Sequence, residues 1–262
     1  MNRVIHGDCL EVMDKLIKDG VKVDAIITDP PYGTTACKWD SVISFDEMWQ
    51  RLKMLRKEKT PIVLFGSEPF SSALRMSNIK EFKYDWIWDK GKTSNPLLAK
   101  KQPMKKHEII HLFYKNQCLY NPIGTELKNE KTLKREKRES GYMASKSTIY
   151  NWKPKYRGVK KSKYKYPESI IKFKKTQGNN QFSKEAHKHP TQKPVKLIEY
   201  LIKTYTNEND LVLDFTAGSG TTGIACQNLN RKYILIEKEQ KYIDIINKRL
   251  EENNDHLFKG VS

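Results

Sequence analysis

An apolar run, Val23 to Ile27, stops abruptly at Thr28-Asp29-Pro30-Pro31-Tyr32-Gly33. The run reads as a buried strand, and two prolines, which have no amide hydrogen to give a sheet ladder, fix where it ends. The residue ahead of each proline is driven to extended backbone angles, so Asp29 and Pro30 form a stiff, open turn. A carboxylate, backbone carbonyls and an aromatic ring are thereby presented together at the carboxy-terminal tip of a strand. In open α/β sheets that edge is where ligands bind. Packing alone asks for no such combination.

The flanking segments supply the sheet. Val4-Ile5-His6 reads as a strand, Gly7-Asp8 as a turn, and Cys9 to Lys18 as a helix with Leu10, Val12-Met13 and Leu16-Ile17 inward. Strand, helix, strand is the opening of a parallel sheet. An irregular loop, Gly33 to Ser44, holds Trp39 and Asp40 and leads to a helix over Phe45 to Arg56. A strand over Pro61 to Phe65 follows, then a helix to about Ser77 and strands at Phe82 to Trp88 and Ile109 to Tyr114. Between those last two, Asp89 to Lys106 is expected to be a long loop. Its lysines 90, 92, 100, 101, 105 and 106 suggest contact with phosphates.

Charge narrows the partner. Lys and Arg number 49 against 31 Asp and Glu, a formal net charge of +18, and such a surface attracts polyanions. Residues 119–188 hold 19 Lys and Arg against 6 Asp and Glu, a surplus of 13 out of the chain's 18. Tyr142, Tyr150, Trp152, Tyr156, Tyr164, Tyr166 and Phe173 are interleaved with that charge. Rings among basic residues suggest a small nucleic-acid-reading insert; a solvated basic linker is the competing reading, above all for 128–138. The expected organisation is therefore a catalytic domain in two parts, 1–118 and 189–262, around the insert 119–188. No apolar run of about 18 residues is present, so no membrane partner is expected. Four scattered cysteines (Cys9, Cys37, Cys118, Cys226) fit a reducing cytoplasm and neither a disulfide framework nor a zinc site. His107 and His111 sit on a strand-like run and are expected to be ordinary hydrogen-bonded histidines, with no metal.

Regular structure resumes after His189-Pro190-Thr191-Gln192-Lys193-Pro194, with a helix whose apolar face is Leu197-Ile198 and Leu201-Ile202. A strand over Leu211 to Asp214 then runs into Phe215-Thr216-Ala217-Gly218-Ser219-Gly220-Thr221-Thr222-Gly223 and a helix to about Leu229. The next strand, Tyr233 to Ile236, ends at Glu237, and a helix over Tyr242 to Leu250 precedes a polar, loose last dozen residues. Gly218 to Gly223 satisfies G-x-G-x-x-G between a strand and a helix, and an acid 17 residues beyond Gly220 ends the following strand. That pattern serves a dinucleotide or S-adenosylmethionine equally, since both carry adenosine. The acid and wide turn of Asp214 to Ala217 favour the second.

Taken with Asp29-Pro30-Pro31-Tyr32, these residues resemble the amino-methyltransferases of DNA. The order of catalytic tetrapeptide, basic region, His189-to-Pro194 segment and glycine loop is similar to the circularly permuted beta group. The resemblance implies a Rossmann-like, mostly parallel seven-stranded sheet with one antiparallel strand, and a target-recognition role for the insert. It implies S-adenosyl-L-methionine as cofactor and double-stranded DNA as partner, and it admits a homodimer and a cognate restriction endonuclease in a bacterial, archaeal or phage setting. Asp29 and the Pro30 carbonyl would accept the amine hydrogens of a flipped base, with Pro31 stiffening the turn and Tyr32 as the stacking platform. Glu237 would hold the ribose hydroxyls, and Asp8 with Cys9 would lie near the adenine. Asp214, Phe215, Ala217, Gly218, Ser219, Gly220 and Thr221 would wrap the methionine part, with Thr191 and Lys193 near its carboxylate. Asp8 also reads as a helix cap, and Lys193 as a solvated lysine at a helix end. Asp in the first position of the tetrapeptide leans toward adenine N6. Cytosine N4, an RNA or protein amide, or a binding protein without catalysis stay as alternatives. No cysteine follows a proline, which sets cytosine C5 methylation aside.

Overall fold

The computed structural model describes residues 2–34, 40–124, 130, 164–174 and 192–259. Cys37, Trp39, most of the basic segment including Tyr142, Tyr150, Trp152 and Tyr156, and His189, Pro190 and Thr191 lie outside the described residues. Chain contacts divide the protein into one unit of Met1–Asn121 with Ser169–Ser262 and a second of Pro122–Glu168. In the second, Gly124 packs against Tyr164, and the rings of Tyr164 and Tyr166 are exposed.

The first unit is built on a sheet of β1 (Arg3–His6), β2 (Ala25–Thr28), β3 (Ile62–Gly66), β4 (Phe82–Ser94), β5 (Lys105–Phe113), β6 (Ile170–Lys172), β7 (Leu211–Asp214) and β8 (Lys232–Glu237). Their order is β1-β8-β7-β2-β3-β5-β4-β6. Only β5 runs against its neighbours, β3 and β4. The two strands nearest the carboxy terminus slot between β1 and β2, with Ile26 opposite Leu213 and Val4 opposite Leu235. That is the permuted arrangement expected from the motif order. β2 and β3 are buried along their whole length, as strands covered on both faces must be.

Helices α1 (Cys9–Lys18), α2 (Phe45–Leu55) and α3 (Phe70–Ser77) pack one face. Met13, Leu16, Trp49, Leu52 and Leu74 meet Ile26, Leu64, Leu213 and Ile234 there. Helices α4 (Val195–Tyr205), α5 (Thr221–Asn228) and α6 (Gln240–Lys259) cover the other, where the Trp86 indole donates to the Tyr205 hydroxyl at 2.7 Å. His111 is fully buried on β5, its Nε2 2.9 Å from Ser71 Oγ, and burial pushes its pKa down to about 4, so it stays neutral. His107, by contrast, is exposed. No described helix is long and apolar enough to cross a membrane.

Three expectations are corrected. An eighth strand joins the seven: Ile170–Lys172, from the end of the basic segment, pairs with β4, and Trp88 Nε1 donates to the Phe173 carbonyl at 2.8 Å. Phe173 therefore belongs to the sheet unit. The segment Asp89 to Lys106 is not a plain loop: β4 runs on to Ser94 and β5 begins at Lys105, forming a hairpin arm closed by a 3-10 turn at Pro96–Leu98. Cross-strand pairs such as Asp89 with His107 hold it, and polar side chains hide such pairing from a hydrophobic pattern. Finally α6 continues to Lys259, because Asn253 is buried and donates to Gln227 at 2.9 Å and to Asn228 at 3.0 Å.

Candidate active site

The carboxy-terminal tips of β1, β8, β7, β2, β3 and β4, with the first half of the antiparallel β5, share one edge. The turn after β2 is held from below by Asp40. Its Oδ1 accepts from the amides of Tyr32 at 2.8 Å and Gly33 at 2.9 Å, and its Oδ2 from that of Thr34 at 2.9 Å. Gly33 sits at φ +66°, a backbone shape that suits a residue without Cβ. The Tyr32 ring lies 5.0 Å from that of Phe70, tilted by 31°, and its hydroxyl donates to Asp29 Oδ1 at 2.5 Å. Burial and the neighbouring Asp29 carboxylate raise the Tyr32 phenol well above its usual pKa, so it remains a donor.

On the neighbouring strand, Asp214 ends β7 with both oxygens engaged. Oδ1 accepts from Thr28 Oγ1 and from the Thr216 amide at 3.2 Å, and Oδ2 from Thr222 Oγ1 at 2.6 Å. Burial pushes its pKa up to about 6. Gly218 and Gly220 take φ +55° and +76°, which lets the chain turn sharply from β7 into α5. A Cβ on Gly223 would come 2.7 Å from Leu235 Cδ1, so this third glycine serves the packing of α5 on β8. Arg249, 1 % exposed on α6, donates through Nη1 to the carbonyl of Ser219 and to its Oγ at 3.0 Å.

Glu237 at the tip of β8 accepts from the amides of Gly218 at 2.8 Å and Glu239 at 2.9 Å, and burial raises its pKa. Asp8 caps α1 through the Leu10 amide at 3.0 Å and meets Lys238 Nζ at 3.2 Å. Partial burial would raise Asp8, but these two partners outweigh it and its pKa is lowered.

These groups line one cavity of about 330 Å³. Of the residues singled out from sequence, Asp8, Cys9, Asp29, Pro30, Pro31, Tyr32, Lys193, Asp214, Phe215, Ala217, Gly218, Ser219, Thr221 and Glu237 all face it. Gly220 instead caps α5 behind the wall. Lys193 is not a solvated lysine. It is 8 % exposed, its Nζ donates to Asp29 Oδ2, and it lies 3.2 Å from Glu108 Oε2 on β5. Glu108 Oε1 is 3.5 Å from Nζ of Lys90, which is buried on β4 rather than offered to phosphates.

A family model described as DNA methylase, N6_N4_Mtase, matches residues 23–248. The chain belongs to the DNA methylase family. It is 28 % identical over 284 residues to the Type II methyltransferase M.HinfI of Haemophilus influenzae, covering 96 % of this chain and 69 % of that one. It is 27 % identical to the DNA adenine methyltransferase YhdJ of Escherichia coli (strain K12), covering 95 % of this chain and 82 % of that one. The crystal structure of the M1.HpyAVI-SAM complex superposes with a TM-score of 0.64 at 28 % identity, covering 95 % of this chain and 99 % of that one.

Four side chains of this DNA methylase escaped the sequence reading: Thr28, Asp40, Glu108 and Arg249. Thr28, Glu108 and Arg249 act by reaching a partner on another element, Asp40 by reaching back across its own loop. Only Asp40 left a local signal, an acid a few residues after a proline turn with amides to cap.

Proposed function

We propose that this DNA methylase moves the methyl group of S-adenosyl-L-methionine onto the exocyclic N6 of an adenine in a specific duplex sequence, after the base has left the helix. The observation that carries the reading is that the Asp29 turn and the Asp214-to-Thr222 loop open into one cavity from neighbouring strands. The printed name of YhdJ supports adenine over cytosine. The Type II label of M.HinfI supports service beside a cognate restriction endonuclease.

The cavity suits the cofactor by the chemistry of its donors. Glu237 offers a carboxylate to ribose hydroxyls, Asp8 and Cys9 flank the adenine side, and Phe215, Ile236 and Tyr242 give apolar contact. The loop that carries Ala217, Gly218, Ser219 and Thr221 lines the side that would take the amino-acid end. When bound, S-adenosyl-L-methionine supplies a methyl group carried on positive sulfur.

The chain's own residues prepare the amine. Its lone pair is delocalised into the base, so it must be localised to react. One amine hydrogen goes to the Asp29 carboxylate and the other to the Pro30 carbonyl, which aims the lone pair at the cofactor side of the cavity. Burial raises Asp29 above the ordinary carboxylate range, against the opposing pull of Lys193 and Tyr32. Such a group is a better proton acceptor than an exposed acid. Tyr32 offers a face to the extruded base, worth roughly 1–3 kcal/mol of stacking against a few kcal/mol for flipping. The hairpin arm between β4 and β5 leaves the same edge of the sheet with Lys92, Lys100, Lys101 and Leu97 exposed, and we assign it to the DNA.

The test is transfer of tritium from labelled cofactor into duplex DNA, followed by nuclease digestion. N6-methyladenine is expected. Label in N4-methylcytosine overturns the base, and none in DNA overturns the activity.

A further inference from the structure

Three alternating charges line the floor of the cavity, Asp29 on the β2 turn, Lys193 ahead of α4 and Glu108 on β5, and a fourth, Lys90 on β4, stands behind Glu108. Side-chain exposures are 25 % for Asp29, 8 % for Lys193, 14 % for Glu108 and 8 % for Lys90. Both Asp29 oxygens are engaged, Oδ1 by the Tyr32 hydroxyl and Oδ2 by Lys193. Each oxygen can take a second donor, but an amine hydrogen arriving at Oδ2 competes with a charged ammonium for the same acceptor. Tyr32 is fixed in the turn that Asp40 braces. Lys193 is different, because its Nζ already stands 3.2 Å from a second carboxylate, Glu108 Oε2. Lys90, 3.5 Å from the other oxygen of Glu108 and 3.3 Å from Ser94 Oγ, keeps that carboxylate in position.

We propose that Glu108 is a positioning residue for methyl transfer: it gives Lys193 a second seat, so the ammonium can yield Asp29 Oδ2 to the amine without leaving a buried charge unpaired. The idea rests on the amine-methylation reading above. A buried ammonium with a single partner would be held there by the cost of separating the pair. Two carboxylates sharing one ammonium make the exchange shallow. While seated on Asp29, Lys193 also pulls the carboxyl's pKa down against burial, favouring the ionised form that accepts N–H hydrogens best.

The ionisable groups facing Asp29 are Tyr32 on its own turn, Asp214 on β7, Glu108 on β5 and Lys193. Asp40 bears on Tyr32, and Lys90 stands behind Glu108. Lys193 pulls the Asp29 pKa down and Glu108 pushes it up. Removing either charge therefore moves the acid limb of the rate profile in opposite directions, which a merely structural role does not do.

The experiment measures transfer from labelled cofactor into unmethylated genomic DNA between about pH 5 and 9. It uses the full chain, as wild type, Glu108→Gln, Lys193→Met and Lys193→Arg, with cofactor affinity measured by calorimetry in parallel. Glu108→Gln is expected to lower the plateau rate about tenfold and move the acid limb to lower pH, with cofactor affinity within about twofold of wild type. Lys193→Met moves the limb to higher pH, and Lys193→Arg, which keeps the charge, restores its position. Should Lys193→Met fail to fold, Glu108→Gln, nearly isosteric, still decides. An active wild type whose Glu108→Gln variant keeps both rate and limb overturns the proposal. So does a Lys193→Met variant that loses cofactor affinity in step with rate, which would seat Lys193 on the cofactor. A wild type that transfers nothing overturns the underlying reading and the proposal with it.

Discussion

Thr28, the last residue of β2, donates its hydroxyl to the carboxylate of Asp214, the last residue of β7. Thr28 Oγ1 also lies 2.8 Å from Thr216 Oγ1, which donates to the Asp29 carbonyl at 3.1 Å. The turn we propose as presenting the acceptor and the loop we propose as facing the cofactor are thus joined directly, 186 residues apart in sequence. Preorganisation of this kind keeps the two reaction partners in register.

Asp214 carries a pH signature. Its pKa is raised from 3.8 to about 6 by burial, so the folded protein holds this proton more tightly than the unfolded chain does. The stability it contributes is present below the unfolded value and is lost as pH rises through the folded one. Replacing Asp214 by Asn removes the titration. Between pH 4 and 7 the wild type should lose roughly 2 kcal/mol relative to Asp214→Asn. Denaturant unfolding across that range measures it. A pH-independent difference between the two proteins would show that Asp214 does not titrate there.

Asp40→Ala strips the amides of Tyr32, Gly33 and Thr34 of their shared acceptor. The turn then loses the device that fixes Asp29 and Tyr32. Transfer should fall by about 10²-fold for a displacement on the order of 1 Å. Cofactor affinity, which the proposed reading assigns to the tips of β1, β7 and β8, should change little. Stability should drop by about 1–3 kcal/mol, since part of the turn can turn to water. Equal losses of cofactor binding and of transfer would contradict this division of labour.

What the sequence disclosed and what it hid differ in kind. The strand ending at Asp29 and the glycine loop were legible because Pro30, Pro31, Gly218 and Gly220 write their backbone angles into the local chain. The permuted strand order followed from the sequence of those motifs. Glu108 and Arg249 were illegible because their roles depend on an ammonium group and a carbonyl that arrive from distant segments; Asp40, six to eight residues from the amides it caps, left only a faint local signal. Lys90 looked like one basic residue of a phosphate-binding loop. Cross-strand pairing instead places it on β4 and turns it inward onto Glu108. The tail of α6 was missed for a related reason: its anchor at Asn253 is a polar network, which leaves no apolar period to read.

Gly220→Ala separates conformation from chemistry. The residue holds φ +76°, and a Cβ there would approach Ile246 Cγ1 to 2.9 Å. Strain in the left-handed region and the clash together should cost about 1–3 kcal/mol. The loop contains no acid or base at this point, so cofactor affinity should fall by about tenfold or more through displacement of the cavity wall alone. Calorimetric titration with S-adenosyl-L-methionine reads the affinity and thermal unfolding the stability. Wild-type affinity in a stably folded variant would mean that the turn tolerates a side chain and that its conformation does not set binding.

The hairpin arm makes the last prediction. Beyond Asn95, left-handed at φ +65°, its tip carries Leu97 at 96 % exposure, with Leu98 at 39 % and Met104 at 44 % nearby. An apolar tip flanked by exposed Lys92, Lys100 and Lys101 is a poor surface for water alone and a good one for a nucleic acid duplex, where lysines meet phosphates and an apolar side chain can enter between base steps. Replacing the three lysines by Gln should flatten the plot of log affinity against log salt by up to about 0.9 for each phosphate no longer neutralised, as fewer counterions are released. Leu97→Ala should leave that slope alone and slow transfer into duplex DNA, because the wedge matters for extruding the base and not for reaching the backbone. The slowing should shrink when the target strand is mispaired, since less stacking then has to be broken. Fluorescence anisotropy over a salt series and transfer assays on paired and mispaired duplexes distinguish the two contributions. An unchanged slope in the triple variant would move the phosphate-binding groups off the arm. A Leu97→Ala defect that is the same on mispaired DNA would mean that the leucine does not act in extrusion.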